Sequence, residues 1–408
     1  MNKKKIINDP VYGFINIYDD IIYELIEHPF FQRLRRVKQL GLTHLVYPGA
    51  VHTRFQHSLG SIHLMHSAIT TIRSKGHEIT DEEAQAAKIA ILLHDLGHGP
   101  FSHSLEQQWV HEYTHEDFSL MMMHMLNEQW DGRLNTALQI YKNQYPKKFL
   151  HQLVSSQLDM DRLEYLRRDS FFTGVSEGVI GSDRIIKMLS VYNDQLVIEG
   201  KGIHSIEKFL IARWIMYWQV YFHKTVVSAE QLIIHILKRA RMLTEQGVDL
   251  AGSTPLKYFL HKQYRNDSRE GMISMFSRLD DTDLAVAIKD WMHCDDKALA
   301  LLCRNMIERR LFKISLQQQP FDQARVLEQK EKAMQKLGLS EEEVQFFVFT
   351  NFITNKAYSI SDDKIQILFK DNQIADVAEA SDMLSLQVLS KIVKKYFLCY
   401  PKDSSMNL

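Results

Sequence analysis

Residues 86 to 93 read Ala-Ala-Lys-Ile-Ala-Ile-Leu-Leu, apolar except for Lys88, and run straight into His94-Asp95. A helix of that composition is buried nearly all round. Its C-terminal end therefore carries an imidazole and a carboxylate into the interior, where unpartnered polar groups are costly. Gly97, Gly99 and Pro100 stop it. Ten of the nineteen histidines crowd the same stretch, at 52, 57, 63, 66, 77, 94, 98, 103, 111 and 115. Histidine titrates near neutrality and is the commonest metal ligand. A dication that handles phosphate oxygens accepts the mix of imidazole nitrogen and carboxylate oxygen that His94-Asp95 supplies.

The flanking pattern is helical. Phe55, Leu59, Ile62, Met65, Ile69 and Ile72 recur at helical spacing, Gly76 ends that helix, and Thr80 with Glu83 forms a capping box for the next. Residues 30–40, 116–130, 134–143 and 148–170 read as further helices, 204–246 as one or two long ones, and 255–312 as several shorter ones. Ser340 caps another helix through Glu341, Glu342 and Glu343. Strand signals are few: a turn and short strand over 7–17, a small arm at 196–199, and a hairpin near 365–374. A last helix is expected over 382–396. The fold class is mainly α, with a core at 1–320 (its motif region at about 50–170) and a minor C-terminal α+β region at 321–408.

Composition excludes several classes. Net charge is -1, so no basic excess exists to drive sequence-independent nucleic-acid binding. No long uncharged apolar run suggests a membrane span, and no apolar segment follows the basic start as in a signal peptide. Three scattered cysteines, Cys294, Cys303 and Cys399, indicate neither a disulfide framework nor a zinc cluster, so a reduced cytoplasmic setting is expected.

Two later stripes carry chemistry. Asp161, Tyr165 and Asp169 sit at i, i+4 and i+8 with Arg162 alongside. Arg213, Tyr217 and Tyr221 repeat that spacing before His223-Lys224. Arginine grips phosphate through paired hydrogen bonds, and tyrosine stacks on or bonds to a sugar or base.

These stretches resemble the HD-domain phosphohydrolases, specifically the SAM and HD domain-containing deoxynucleoside triphosphate triphosphohydrolases and their bacterial relatives, without the SAM domain. The motifs are Asn8-Asp9-Pro10, Phe31-Gln32-Arg33-Leu34-Arg35, Lys38-Gln39-Leu40-Gly41, Arg54-Phe55-Gln56-His57-Ser58-Leu59-Gly60 and His94 to His103. The resemblance implies a helical HD core and one divalent metal ion (Mn, Fe, Mg, Zn or similar) held by His57, His94, Asp95 and Asp161, with Asp159 the rival for the last place. It implies His98, His103, Glu106 and His115 near the scissile phosphate, Glu106 standing where aspartate is more usual. Arg54, Arg162 and Arg213 would neutralise phosphates, and Gln39, Leu40, Tyr165, Asp169 and Tyr221 would form the sugar pocket. Lys5, Asn8, Glu27, Gln32, Arg35, Arg309 and Lys313 match positions that contact an activator nucleotide between subunits, which implies a homodimer or homotetramer. The expected reaction is hydrolysis of dNTPs to deoxynucleosides and inorganic triphosphate. Its rivals are an HD nucleotide phosphatase or phosphodiesterase, and a catalytically silent nucleotide sensor or nucleic-acid-binding module.

Overall fold

The computed structural model describes residues 5–355, 358, 364–382 and 393–402, the side chains of His103 and Gln107 excepted. Its centre is the helix Arg54–Ser74, packed against both Asp81–Leu93 and Met160–Thr173. Capping fixes where the first two begin. Thr53 N–H donates to Gln56 Oε1 at 2.9 Å, and Thr80 and Glu83 exchange hydrogen bonds at 2.8 and 3.1 Å. Gly76 closes the first helix at φ +86°, a conformation that favours glycine. Ala86, Ala87, Ile89 and Ala90 to Leu93 are buried, so the second helix brings His94 into the core as the sequence predicts.

Strands sit at the periphery of this helical mass. Lys5–Asp9 pairs antiparallel with Gly13–Ile17. Asp9 Oδ1 accepts from the amides of Val11 and Tyr12 and tightens the turn between them. Leu189–Tyr192 and Gln195–Glu199 form the arm. Gln366–Leu368 adds to the arm in parallel, with Ile374–Asp376 outside it, so the later hairpin and the arm are one sheet. A third sheet has the order Lys313–Gln317, Val393–Tyr400, Phe349–Asn355.

Three expectations need correction. Helix over 30–40 stops early: Pro29–Gln32 passes into the tighter turn Arg33–Arg36. Lys38 N–H then bonds to the buried Asp281 at 3.0 Å, and Arg54 N–H bonds to the Val37 carbonyl at 3.0 Å, pulling the backbone across the start of the central helix. The helix at 148–170 is two, Lys148–Val154 and Met160–Thr173, because Asp159 accepts from the amides of Ser156 and Arg162 and caps a new start. Ser340 does cap a helix, the single turn Glu341–Val344. Of the last predicted helix, 383–392 lie outside the described residues, and 393–396 belong to the strand Val393–Tyr400. Its β-branched and aromatic residues fit between two partner strands. Between 204 and 246 the helices Ile203–Met216 and Lys224–Glu245 are joined by a π-helical turn, Tyr217–Tyr221. No helix among the described residues is long and apolar enough to cross a membrane.

Candidate active site

Three elements converge. His57 comes from the first turn of the central helix, His94 from the end of the buried one, and Asp161 from the first turn of Met160–Thr173. One donor atom from each lies within 4.8 Å of the other two. The imidazoles are oriented from behind. His57 Nδ1 bonds to Glu164 Oε2 at 2.6 Å, and His94 Nδ1 to the Ile91 carbonyl at 2.6 Å. Since a carboxylate and a carbonyl only accept, each Nδ1 carries a proton and each Nε2 is the ring atom that faces the other members of the cluster. His57 Nε2 lies 3.0 Å from Asp161 Oδ1, and His94 Nε2 lies 3.5 Å from it. Neither buried Nε2 has a hydrogen-bond partner among the described residues. Such atoms point to a common third position, and two imidazole nitrogens with carboxylate oxygen suit a divalent cation there.

Asp95 stands beside this group, its Oδ1 3.2 Å from His94 Nε2 and its Oδ2 3.7 Å from His57 Nε2. It is also held by Arg54 Nη1 at 2.6 Å and His98 Nε2 at 3.2 Å. Against the cost of burial, His94 and Arg54 hold its carboxyl well below the ordinary range. Burial lowers the basicity of His57, but the carboxylates of Asp161 and Glu164 outweigh it and push the ring up to about 10. The carboxylates that favour a proton on His57 would equally favour a cation in that proton's place. Asp159 bounds the same cavity but serves as the helix cap, with Arg162 Nε 3.2 Å from its Oδ2, and is not one of the three clustered donors.

Two cavities adjoin here and share Gln39 and Tyr165. One, of about 510 Å³, is bounded by His94, Asp95, Asp161, His98, His115, Arg54, Arg162 and Lys142. His98 and His115 stack with ring centres 4.0 Å apart. Glu106 accepts from both the His115 amide, at 3.0 Å, and its Nδ1. The second cavity, of about 400 Å³, is lined by Leu40, Phe101, Tyr165, Tyr217, Tyr221, Asp169 and Glu230, among others. Tyr221 OH donates to Asp169 Oδ2 at 2.8 Å and His52 Nε2 meets its Oδ1 at 2.7 Å.

Several predicted residues sit elsewhere. Arg213 is buried, 6.0 Å from the Tyr217 ring, and bounds neither cavity; its Nε and Nη1 have no hydrogen-bond partner among the described residues. The His103 side chain lies outside the described residues. Near the N-terminal hairpin, Lys5 lies over Tyr23, Asn8 is on the first strand, and Glu27 is exposed. Gln32 accepts from Arg35, which stacks on Phe55. Arg309 donates to the Leu45 carbonyl and Lys313 lies over Tyr400; no hydrogen bond or ion pair joins these two to the other five among the described residues.

The sequence reading assigned no role to the residues that brace the site. Arg168 donates from Nε to Glu164 Oε1 at 2.6 Å and from Nη1 to Asp9 Oδ2 at 2.9 Å, all three side chains nearly or fully buried. Arg33 holds the Leu96 carbonyl, and Asp281 accepts from the amide of Phe101, which adopts φ +47°. Glu164 follows Asp161 by three residues and precedes Arg168 by four, so helical spacing signals at least that pair.

A model of the HD domain matches residues 54–146, and one of the HD associated region matches 180–251. The chain is 36% identical over 321 residues to the uncharacterized protein YwfO of Bacillus subtilis, covering 76% of this chain and 72% of that protein. A crystal structure of a phosphohydrolase from Bacteroides thetaiotaomicron superposes with a TM-score of 0.94 at 52% identity, over 98% of this chain and 100% of that one. The chain belongs to the HD-domain phosphohydrolases. This phosphohydrolase is also 30% identical over 298 residues to the human deoxynucleoside triphosphate triphosphohydrolase SAMHD1, covering 62% of this chain. It spans 47% of that longer protein.

Proposed function

We propose that this HD-domain phosphohydrolase hydrolyses deoxynucleoside triphosphates to deoxynucleosides and inorganic triphosphate. One observation carries the reading: a carboxylate-imidazole cluster with arginines opens directly into an aromatic cavity of nucleoside size that has an acid on its wall. His57, His94, Asp161 and Asp95 would hold one divalent cation. When bound, it supplies positive charge that polarises the α-phosphate and strengthens water as a nucleophile.

The chain's own groups do the rest. Arg54 and Arg162 offset the phosphate charge. The water oxygen joins the α-phosphorus, the bond from phosphorus to O5′ breaks, and the water proton leaves to solvent. His115, oriented by Glu106, gives O5′ its proton; His98 lies flat against it. Asp169 and Gln39, whose Oε1 is buried without a hydrogen-bond partner among the described residues, would take the 3′-hydroxyl. Tyr221, fixed by Asp169, crowds the position of a 2′-hydroxyl.

Phosphorus NMR of the products from each dNTP tests this. Tripolyphosphate as the sole phosphorus product is expected. Pyrophosphate or orthophosphate would favour another HD nucleotide phosphatase or phosphodiesterase, and no turnover would favour a silent sensor. A Tyr221→Ala variant is expected to narrow the preference for dNTPs over NTPs by about tenfold, measured as the ratio of kcat/KM values. Lys5, Asn8, Glu27, Gln32, Arg35, Arg309 and Lys313 would bind an activator nucleotide between subunits. Light scattering should therefore show a shift toward dimer or tetramer on adding dGTP, and an unchanged mass would remove that part of the proposal.

A further inference from the structure

The aromatic cavity has a wall that the reaction above does not use. Glu230, on the helix Lys224–Glu245, lines it together with Leu40, Phe101, Ser104 and Phe222. Two carboxylates thus face one space, and they are provided for differently. Asp169 has both oxygens engaged, by His52 and by Tyr221. Glu230 bonds to the Ser104 hydroxyl, and among the described residues no lysine, arginine or histidine lines the cavity to balance it. Burial pushes the Glu230 carboxyl up to about 7 against the hydroxyl's opposite pull. A carboxylate in an aromatic enclosure is costly unless donors reach it, and the cavity wall leaves that part to a ligand.

We propose that Glu230 reads the base of the substrate, accepting the N1–H and N2–H of guanine side by side, so that the cavity prefers a deoxyguanosine nucleotide. The inference rests on the nucleotide reading of the same cavity. Two donors placed against the carboxyl favour its ionised form, which offers acceptors and no donor. Guanine presents two adjacent donors on its Watson–Crick edge. Adenine and cytosine each place an acceptor beside the donor, and thymine flanks its one donor with two carbonyls. A carboxylate is repelled by each of those acceptors, so the discrimination has an unfavourable component as well as a favourable one. Glutamine is nearly isosteric with glutamate but has one acceptor and one donor, the complement of adenine's edge.

The experiment compares wild type with Glu230→Gln and Glu230→Ala in two assays. The first is kcat/KM for all four dNTPs. The second is binding of deoxyguanosine and deoxyadenosine, without phosphates, to the metal-free protein by calorimetry. Wild type is expected to favour the guanine compound by about tenfold in both. Glu230→Gln should reverse the preference toward adenine, and Glu230→Ala should level it; a merely structural role would lower all substrates together. Unchanged base ratios in both variants would overturn the inference while leaving the hydrolase reading intact. Conversely, if no dNTP is hydrolysed but nucleoside preference still reverses in Glu230→Gln, the base pocket stands and the hydrolase reading fails. If wild type shows no guanine preference in either assay, the inference fails.

Discussion

A His94→Ala variant is expected to lose dNTP hydrolysis by about a thousandfold or more while keeping its fold. Among the described residues the His94 Nδ1 bonds to the Ile91 carbonyl, and its Nε2 serves the cluster rather than any hydrogen bond that the fold needs. Its position in the cluster is what matters. Removing it leaves His57, Asp95 and Asp161 to hold a cation, and the charge that would polarise the α-phosphate is weakened or lost with the ion. A contribution of several kcal/mol to the transition state corresponds to roughly a thousandfold in rate. Activity and Mn²⁺ binding by calorimetry should fall together, and the thermal transition of the metal-free protein should stay within a few degrees. Retained turnover would show that the chemistry belongs to another site.

The largest structural effect is expected from Gly60→Ala. A Cβ on Gly60 would fall 2.0 Å from Glu164 Oε1 and 2.7 Å from Arg168 Nη2. Neither side chain has room to move, for both are fully buried and bonded to each other, to His57 and to Asp9. Alanine must therefore break part of a buried ionic network, a change that costs about 3–5 kcal/mol. Scanning calorimetry should show a fall in Tm of about 4–6 °C. Because His57 also loses the carboxylate that fixes its tautomer, metal affinity in the surviving folded fraction should drop about 10- to 100-fold. A variant with wild-type Tm and wild-type metal affinity would show that Glu164 and Arg168 have slack that their burial denies.

These two sites also mark how far the sequence is legible. His94 could be read because the apolar run before it has nowhere to go but the core, and Asp161 because helical spacing aligns it with Tyr165 and Asp169. The bonds that hold them depend on distant partners. Asp9 meets Arg168 from 159 residues away, and Arg33 reaches the Leu279 carbonyl across 246. No local pattern announces such contacts. The same reason explains the strand Val393–Tyr400, where helix was expected: its partners, Lys313–Gln317 and Phe349–Asn355, decide its conformation. Residues 148–170 could have been divided correctly, since Asp159 followed by Met160 and Asp161 is a helix start that periodicity alone ran through. Glu230 was hidden in a long amphipathic helix, and only the cavity it lines distinguishes it from its neighbours.

Anomalous diffraction from crystals grown with Mn²⁺ tests the central claim most directly. The account predicts one strong peak within coordination distance of His57 Nε2, His94 Nε2 and an Asp161 oxygen, with Asp95 beside it. Manganese bound elsewhere, or no peak at that point in protein that hydrolyses dNTPs in the same buffer, would contradict it.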